Sequence, residues 1–167
     1  TTPAQTIGGT VAFTISNLVV DTGVNLTNNN SGGLTVNATL SGTGALTQGA
    51  TPTAGVLNIA VSTANFTLSN LVASASGNTV NYNFAGAQDV RPVTYHHLTL
   101  STSGAKNLTD LTTINGNLTL SGTASATVNP PGVDPGTFTI EGNLTIGVGT
   151  SLTVGGDNMT VTGTTSV

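Results

Sequence analysis

The segment Phe138-Thr139-Ile140-Glu141-Gly142-Asn143-Leu144-Thr145-Ile146-Gly147-Val148-Gly149-Thr150-Ser151-Leu152-Thr153-Val154-Gly155-Gly156-Asp157-Asn158-Met159-Thr160-Val161 contains one tripeptide four times. Each copy is a large apolar residue, a threonine and a second apolar residue, beginning at positions 138, 144, 152 and 159. Strand side chains alternate between two faces, so both apolar residues point one way and the threonine the other. Each copy is therefore the centre of a short strand with one buried side. Steps of 6, 8 and 7 residues put three such strands into about 21 residues. That is the layout of one turn of a three-faced solenoid.

The pattern extends over the rest of the chain. It recurs as Phe13-Thr14-Ile15, Leu34-Thr35-Val36, Phe66-Thr67-Leu68, Leu98-Thr99-Leu100 and Leu118-Thr119-Leu120. Degenerate copies stand at Leu57-Asn58-Ile59 and Val80-Asn81-Tyr82. The series 13, 34, 57, 80, 98, 118, 138, 159 predicts an all-β parallel β-solenoid (β-helix) of about eight coils with a ~21-residue period. Residues 1–167 form a single domain in this reading, with less regular coils over 1–75, regular coils over 76–167 and a Pro-rich loop at 128–136. Phe66-Thr67-Leu68 lies off the series and belongs to another face. The heptapeptide Phe13-Thr-Ile-Ser-Asn-Leu-Val has an echo 53 residues later, beginning at Phe66. That echo fits a rung phase poorly and keeps an antiparallel β-sandwich as the alternative.

Composition supports strands. Thr, Val and Ile supply 57 of the 167 residues, and β-branched side chains favour extended backbone. Gly, Asn, Ser and Thr together supply 87, and the glycines and Asn clusters punctuate the apolar runs as turns do. Charged residues are only 5% against about a quarter in ordinary domains. In a stack of like rungs, equal charges would face one another; Thr and Asn ladders avoid that repulsion. Mean hydropathy of +0.21 is too high for a disordered chain.

The same numbers exclude function classes. Lys106 and Arg91 are the only basic residues, too few to neutralise phosphates, so nucleic acid is not a partner. No apolar run approaches the ~20 residues of a spanning helix, so membrane insertion is not expected. No cysteine is present for disulfides or thiolate chemistry. The acids Asp21, Asp89, Asp110, Asp134, Glu141 and Asp157 are scattered, and with no Trp and two Tyr a sugar-cleaving cleft is poorly supplied. The chain is read as no enzyme, with no catalytic, cofactor-binding or metal residue. His96-His97 is the only histidine pair, and in a regular strand the two would face opposite ways. Asp157 in Gly155-Gly156-Asp157-Asn158 partly matches a calcium-binding turn without its second element, leaving calcium in loops as the one weak cofactor option. Arg91 precedes Pro92, so Lys106 is the one trypsin site expected to be usable.

Eight Asn-x-Ser/Thr sequons, at Asn25, Asn29, Asn37, Asn65, Asn107, Asn117, Asn143 and Asn158, are candidate glycosylation sites under a glycosylating secretory route. Thr1 is preceded by no Met or signal segment, and the chain reads as a mature or excised piece. The final Thr160–Val167 run, which contains Thr160-Val161-Thr162, stops in mid-pattern, and Thr10-Val11-Ala12-Phe13-Thr14-Ile15 lies near the other end. Uncapped solenoid ends template further strands, so both segments are candidate assembly segments.

Residues Gly77–Val90, Tyr95-His96-His97-Leu98-Thr99-Leu100-Ser101, Gly104–Leu108, Ile114–Gly122, Gly142-Asn143-Leu144-Thr145-Ile146 and Val161–Thr165 resemble secreted prokaryotic cell-surface β-solenoid repeats of the adhesin and filament type. The resemblance covers mainly residues 77–167, and His96-His97 stands where related rungs tend to have Asn. It implies an extracellular, cell-surface structural protein and no catalytic residues. The leading expectation is a self-assembling homopolymer, as a surface filament or adhesin stalk in a biofilm-like setting, touching glycans or other cells. The alternatives are a donor-strand-complemented β-sandwich fibre, with the Thr10–Ile15 segment as donor, and an ice-binding threonine face. In the ice reading Thr14, Thr35, Thr99, Thr119, Thr139 and Thr160 form one column, and Ser16, Asn37, Ser101, Ser121, Glu141 and Thr162 a second.

Overall fold

The computed structural model describes residues 4–128, 136–156 and 158–167. The Pro-rich excursion, Asp134 and Asp157 lie outside these residues. From the N-terminus run β1 (Gln5–Gly9), β2 (Phe13–Val19), β3 (Asn25–Asn30), β4 (Leu34–Ser41), β5 (Ala45–Gln48) and β6 (Val56–Ile59). A 3₁₀ turn at Thr63–Asn65 precedes β7 (Asn70–Val72), β8 (Thr79–Tyr82), β9 (Gln88–Asp89) and β10 (His97–Leu100). Then come β11 (Ser103–Leu108), β12 (Thr113–Ile114), β13 (Leu118–Leu120), β14 (Thr123–Val128) and β15 (Thr137–Ile140). β16 (Leu144–Ile146), β17 (Ser151–Val154), β18 (Asn158–Val161) and β19 (Thr165–Ser166) complete the described strands.

Every ladder between these strands is parallel. The chain is a β-solenoid, and the antiparallel sandwich is not formed. The longest face is one eight-stranded sheet in the order β2-β4-β6-β8-β10-β13-β16-β19, so the chain winds through about seven turns. A second face stacks β1, β3, β5 and β7, then continues through the bridges Ala73↔Tyr95 and Tyr95↔Ile114 into β12, β15 and β18. The third face holds β9, β11, β14 and β17. At its N-terminal end this face is built from the second half of β4, where Leu40 bridges Phe66.

Along the long face one inward column reads Phe13, Leu34, Leu57, Val80, Leu98, Leu118, Leu144 and Thr165. Leu34, Leu57, Val80, Leu98 and Leu118 are shut off from solvent. Each such Leu contributes about 1.5–3 kcal/mol by burial, which makes the columns the main source of stability. The successive steps are 21, 23, 23, 18, 20, 26 and 21 residues, read from that column.

These registers correct two expectations. Phe138 and Met159 are not on the long face; they pair with each other in β15 and β18 of the second face. The coil after Leu118 holds 26 residues before Leu144, so a step of 20 lands one strand short. The expected threonine column changes with it. Thr139 and Thr160 stack on Thr113, whereas the long-face column reads Thr14, Thr35, Asn58, Asn81, Thr99, Thr119, Thr145, Ser166. Phe66 does lie off the long-face column, and its partner Leu40 shows that the 53-residue echo is not a structural equivalence: Phe13 pairs with Leu34 instead.

Candidate functional site

Three kinds of feature could carry function: the first and last described rungs, the polar corner ladders and the few charged groups. At the N-terminal edge, among the described residues, β1 and β2 pair only on the side facing β3 and β4. Ile7, Ile15 and Leu18 are only partly buried there, Phe13 is exposed and Val11, in the turn before it, is 75% exposed. At the opposite edge, β17, β18 and β19 are the last strands of their sheets. Leu152, Met159 and Val161 are partly buried, and Val154 is exposed. Of the candidate assembly segments, Thr10, Val11 and Ala12 form the turn into β2, and Phe13, Thr14 and Ile15 lie within it. Thr160 and Val161 lie in β18, and Thr162 follows, donating its N–H to the Ile140 carbonyl. The two segments therefore sit at opposite ends of the stack. None of the five edge strands carries a charged side chain.

A ladder runs up the corner that leads into the long face. Asn117 N–H donates to His97 Nδ1 (3.0 Å), Asn143 N–H to Asn117 Oδ1 (2.9 Å) and Thr164 N–H to Asn143 Oδ1 (2.9 Å). Each side chain lies beneath the residue before the next Asn, so that residue must be glycine. A Cβ on Gly116 would stand 2.6 Å from His97 Nδ1, and one on Gly142 2.5 Å from Asn117 Oδ1. The Gly-Asn-Leu-Thr rung thus has a steric origin. His97 replaces Asn as the acceptor, which places its ring proton on Nε2. His96 and His97 do not diverge as a regular strand would require. His96 precedes β10, and the two rings meet edge to face with centroids 4.2 Å apart. Partial burial, then the neighbouring His96, hold the His97 pKa below 6.5. Among the described residues no three His, Cys, Asp or Glu side chains cluster in a way that could hold a metal.

Polar groups also turn inward. Asn28 donates to Gln48 Oε1 (2.8 Å) and the Val56 carbonyl (3.0 Å), and its Oδ1 accepts the Asn30 N–H (3.1 Å). Asn30 Oδ1 accepts the Gly33 N–H (2.9 Å) and Asn30 Nδ2 donates to the Val11 carbonyl (3.1 Å). Farther along, Lys106 is fully buried in β11, its ammonium donating to the carbonyls of Phe84 (2.7 Å) and Gly86 (3.1 Å) and to Gln88 Oε1 (2.7 Å). Desolvation brings its pKa down to about 8. This overturns the expected trypsin site: a lysine inside a strand ladder is out of a protease's reach. The signal that it faces inward was its place in the strand alternation of Lys106-Asn107-Leu108, where Leu108 marks the buried side.

Arg91, the second cation, lies 4.6 Å over the Phe66 ring and donates to the Phe66 carbonyl (2.9 Å). Its backbone N–H donates to Tyr82 Oη (3.0 Å), and Tyr95 Oη donates to its carbonyl (2.9 Å). Tyr82 and Tyr95 are buried and hydrogen-bonded to each other at 2.8 Å. Burial raises the Tyr82 pKa to about 12 and pushes Tyr95 well above 10. Beside Arg91 a pocket of about 270 Å³ is lined by Thr63, Phe66, Asp89, Val90 and Pro92. Asp89 is exposed, and its carboxylate accepts from Asn107 Nδ2 (2.8 Å).

The sequon asparagines divide by environment. Asn25 accepts from Thr47 Oγ1, Asn107 donates to Asp89, and Asn117 and Asn143 hold the corner ladder. Asn29 has its Oδ1 against Gly49, where a Cβ would clash. Asn37, Asn65 and Asn158 are exposed, Asn65 in the 3₁₀ turn. On the long face Asn58 donates to Thr35 Oγ1 (3.3 Å), Asn81 to Asn58 Oδ1 (3.1 Å) and Ser101 to Asn81 Oδ1 (2.8 Å). No family model, curated protein or solved structure matches the chain.

Proposed function

We propose that this chain is a structural protein of the cell exterior, a β-solenoid whose coil stack continues end to end into a surface filament or adhesin-type stalk. The observation that carries this reading is that the first described strands, β1 and β2, and the last, β17, β18 and β19, keep partly buried apolar residues at the two ends of the core columns. Native proteins usually guard such edges with Lys, Pro or a covering element. Here the edge strands carry no charge, so a neighbouring rung meets no repulsion. The likeness of residues 77–167 to secreted prokaryotic surface repeats points the same way. Both cations are used internally, Lys106 in the core and Arg91 against Phe66, which suits a scaffold better than a recognition surface.

The ice-binding alternative draws less support, because Asn58 and Asn81 interrupt the threonine column and hydrogen-bond along it. The filament reading is tested by negative-stain microscopy and sedimentation of the purified chain over a range of concentrations. Eight rungs separated by about 4.8 Å rise roughly 34 Å, and the expected fibres are far longer, with a 4.8 Å repeat along the axis. Particles that stay monodisperse at the single-chain length at every concentration would end the proposal.

A further inference from the structure

Resting on that reading, we propose that the junction between two copies is parallel and in register, with β18 of one copy against β1 of the next and β19 against β2. The partner is a second copy of this chain, and the alignment follows from the columns. On the second face the outward column is Thr6, Thr27, Thr47 and Val72 at one end, and Thr113, Thr139 and Thr160 at the other. The inward column beside it begins with Ile7 over Asn28 and Gln48, and ends with Ile114, Ile140 and Val161. The bridges Ala73↔Tyr95↔Ile114 make these one continuous column. Stacking β1 on β18 without a slip therefore sets Thr6 on Thr160 and Ile7 on Val161. A one-residue slip would turn every apolar side chain outward, and a two-residue slip would set Ile7 on Met159, leaving Val161 uncovered.

The long face gives the same alignment independently. Thr165 ends the column that begins with Phe13, and Ser166 ends the one that begins with Thr14. Phe13 therefore covers Thr165, and Thr14 meets Ser166. Phe13, exposed in the single chain, becomes an interior residue of the next rung. The junction joins residue to residue across two of the three faces, neither of which brings a charge to it.

The chain has no cysteine, so introduced thiols report the junction alone. Rungs about 4.8 Å apart fall within the Cα separations a disulfide accepts, whereas positions offset by two residues fall at about 8 Å, outside it. Within one copy Thr6 and Thr160 belong to the first and last strands of the stack and cannot meet. The double variant Thr6→Cys/Thr160→Cys, oxidised under assembly conditions, is expected to give a reducible ladder of covalent oligomers, while Gly8→Cys/Thr160→Cys gives monomer. Thr14→Cys/Ser166→Cys on the long face is expected to give the same ladder and covers the case in which the first variant misfolds. Filaments that form without cross-linking in either in-register pair, or cross-linking through Gly8→Cys, would overturn the register and leave the filament reading standing. Absence of filaments in the unmodified chain would overturn both.

Discussion

The interior of the solenoid and its outer corner both contain ladders of polar side chains, and they operate under different constraints. At the corner, His97, Asn117 and Asn143 each accept one backbone N–H from the coil above, in reach of water. Inside, Asn28, Asn30, Gln88 and Lys106 are buried and bond backbone carbonyls and N–H groups. A lost bond at the corner can be replaced by water. A lost bond inside leaves an orphaned polar group with a desolvation cost of about 1–3 kcal/mol. The corner ladder is therefore a repeatable device that sets the rung, and the inner groups are local repairs where coils depart from regularity.

The strongest break in that comparison is Lys106→Met, which keeps length and removes every donor. The carbonyls of Phe84 and Gly86 lose their partner, and the expected loss is about 2–4 kcal/mol in urea unfolding. The lysine also leaves a pH signature. Its folded pKa of about 8 lies below the unfolded 10.5, so the unfolded chain holds the proton more tightly. Stability of the native chain should rise as pH climbs from about 8 toward 10.5, and the Lys106→Met chain should lack that rise. Tyr82 and Tyr95, raised above 10, withdraw stability once the unfolded phenols ionise, so the comparison is best read between pH 8 and 10. A flat profile in the native chain would mean that the ammonium costs nothing to bury.

A smaller effect separates Asn28→Leu from Asn117→Ala. The first orphans the Val56 carbonyl, Gln48 Oε1 and the Asn30 N–H, for about 2–3 kcal/mol; the second frees only the Asn143 N–H at a half-exposed corner, for about 1 kcal/mol. Equal losses in thermal or urea unfolding would erase the distinction. It is also the line along which the sequence was readable. Strand tripeptides, the ~21-residue turn and the neutral surface follow from alternation, because Leu118-Thr119-Leu120 and its kin have one inward reading. The coil lengths do not follow, since insertions in turns change the step without changing the tripeptide, and the Phe138 tripeptide therefore falls on the second face. Alternation with Leu108 marks Lys106 as inward, but what satisfies Lys106 and Asn28 there is not legible, because their partners include carbonyls from other coils, up to 28 residues away.

The smallest expected effect tests whether His97 is a ladder residue in the same sense as Asn117. Its Nδ1 accepts the Asn117 N–H, which the protonated ring cannot do. Burial and His96 lower its folded pKa, so the unfolded chain takes up the proton first as pH falls. The His97 contribution is complete above the unfolded value of 6.5, declines as pH drops below it, and levels off below the lowered folded value. His97→Asn supplies an Oδ1 acceptor that does not titrate in this range, as at Asn117 and Asn143. That variant should keep the stability of the native chain at pH 7.5 and lose less of it between pH 6.5 and 5, measured as the shift in Tm. An unchanged acid slope would show that the ring's protonation state is immaterial to the corner. In that case the asparagine ladder would begin at Asn117, with His97 merely filling the space beneath it.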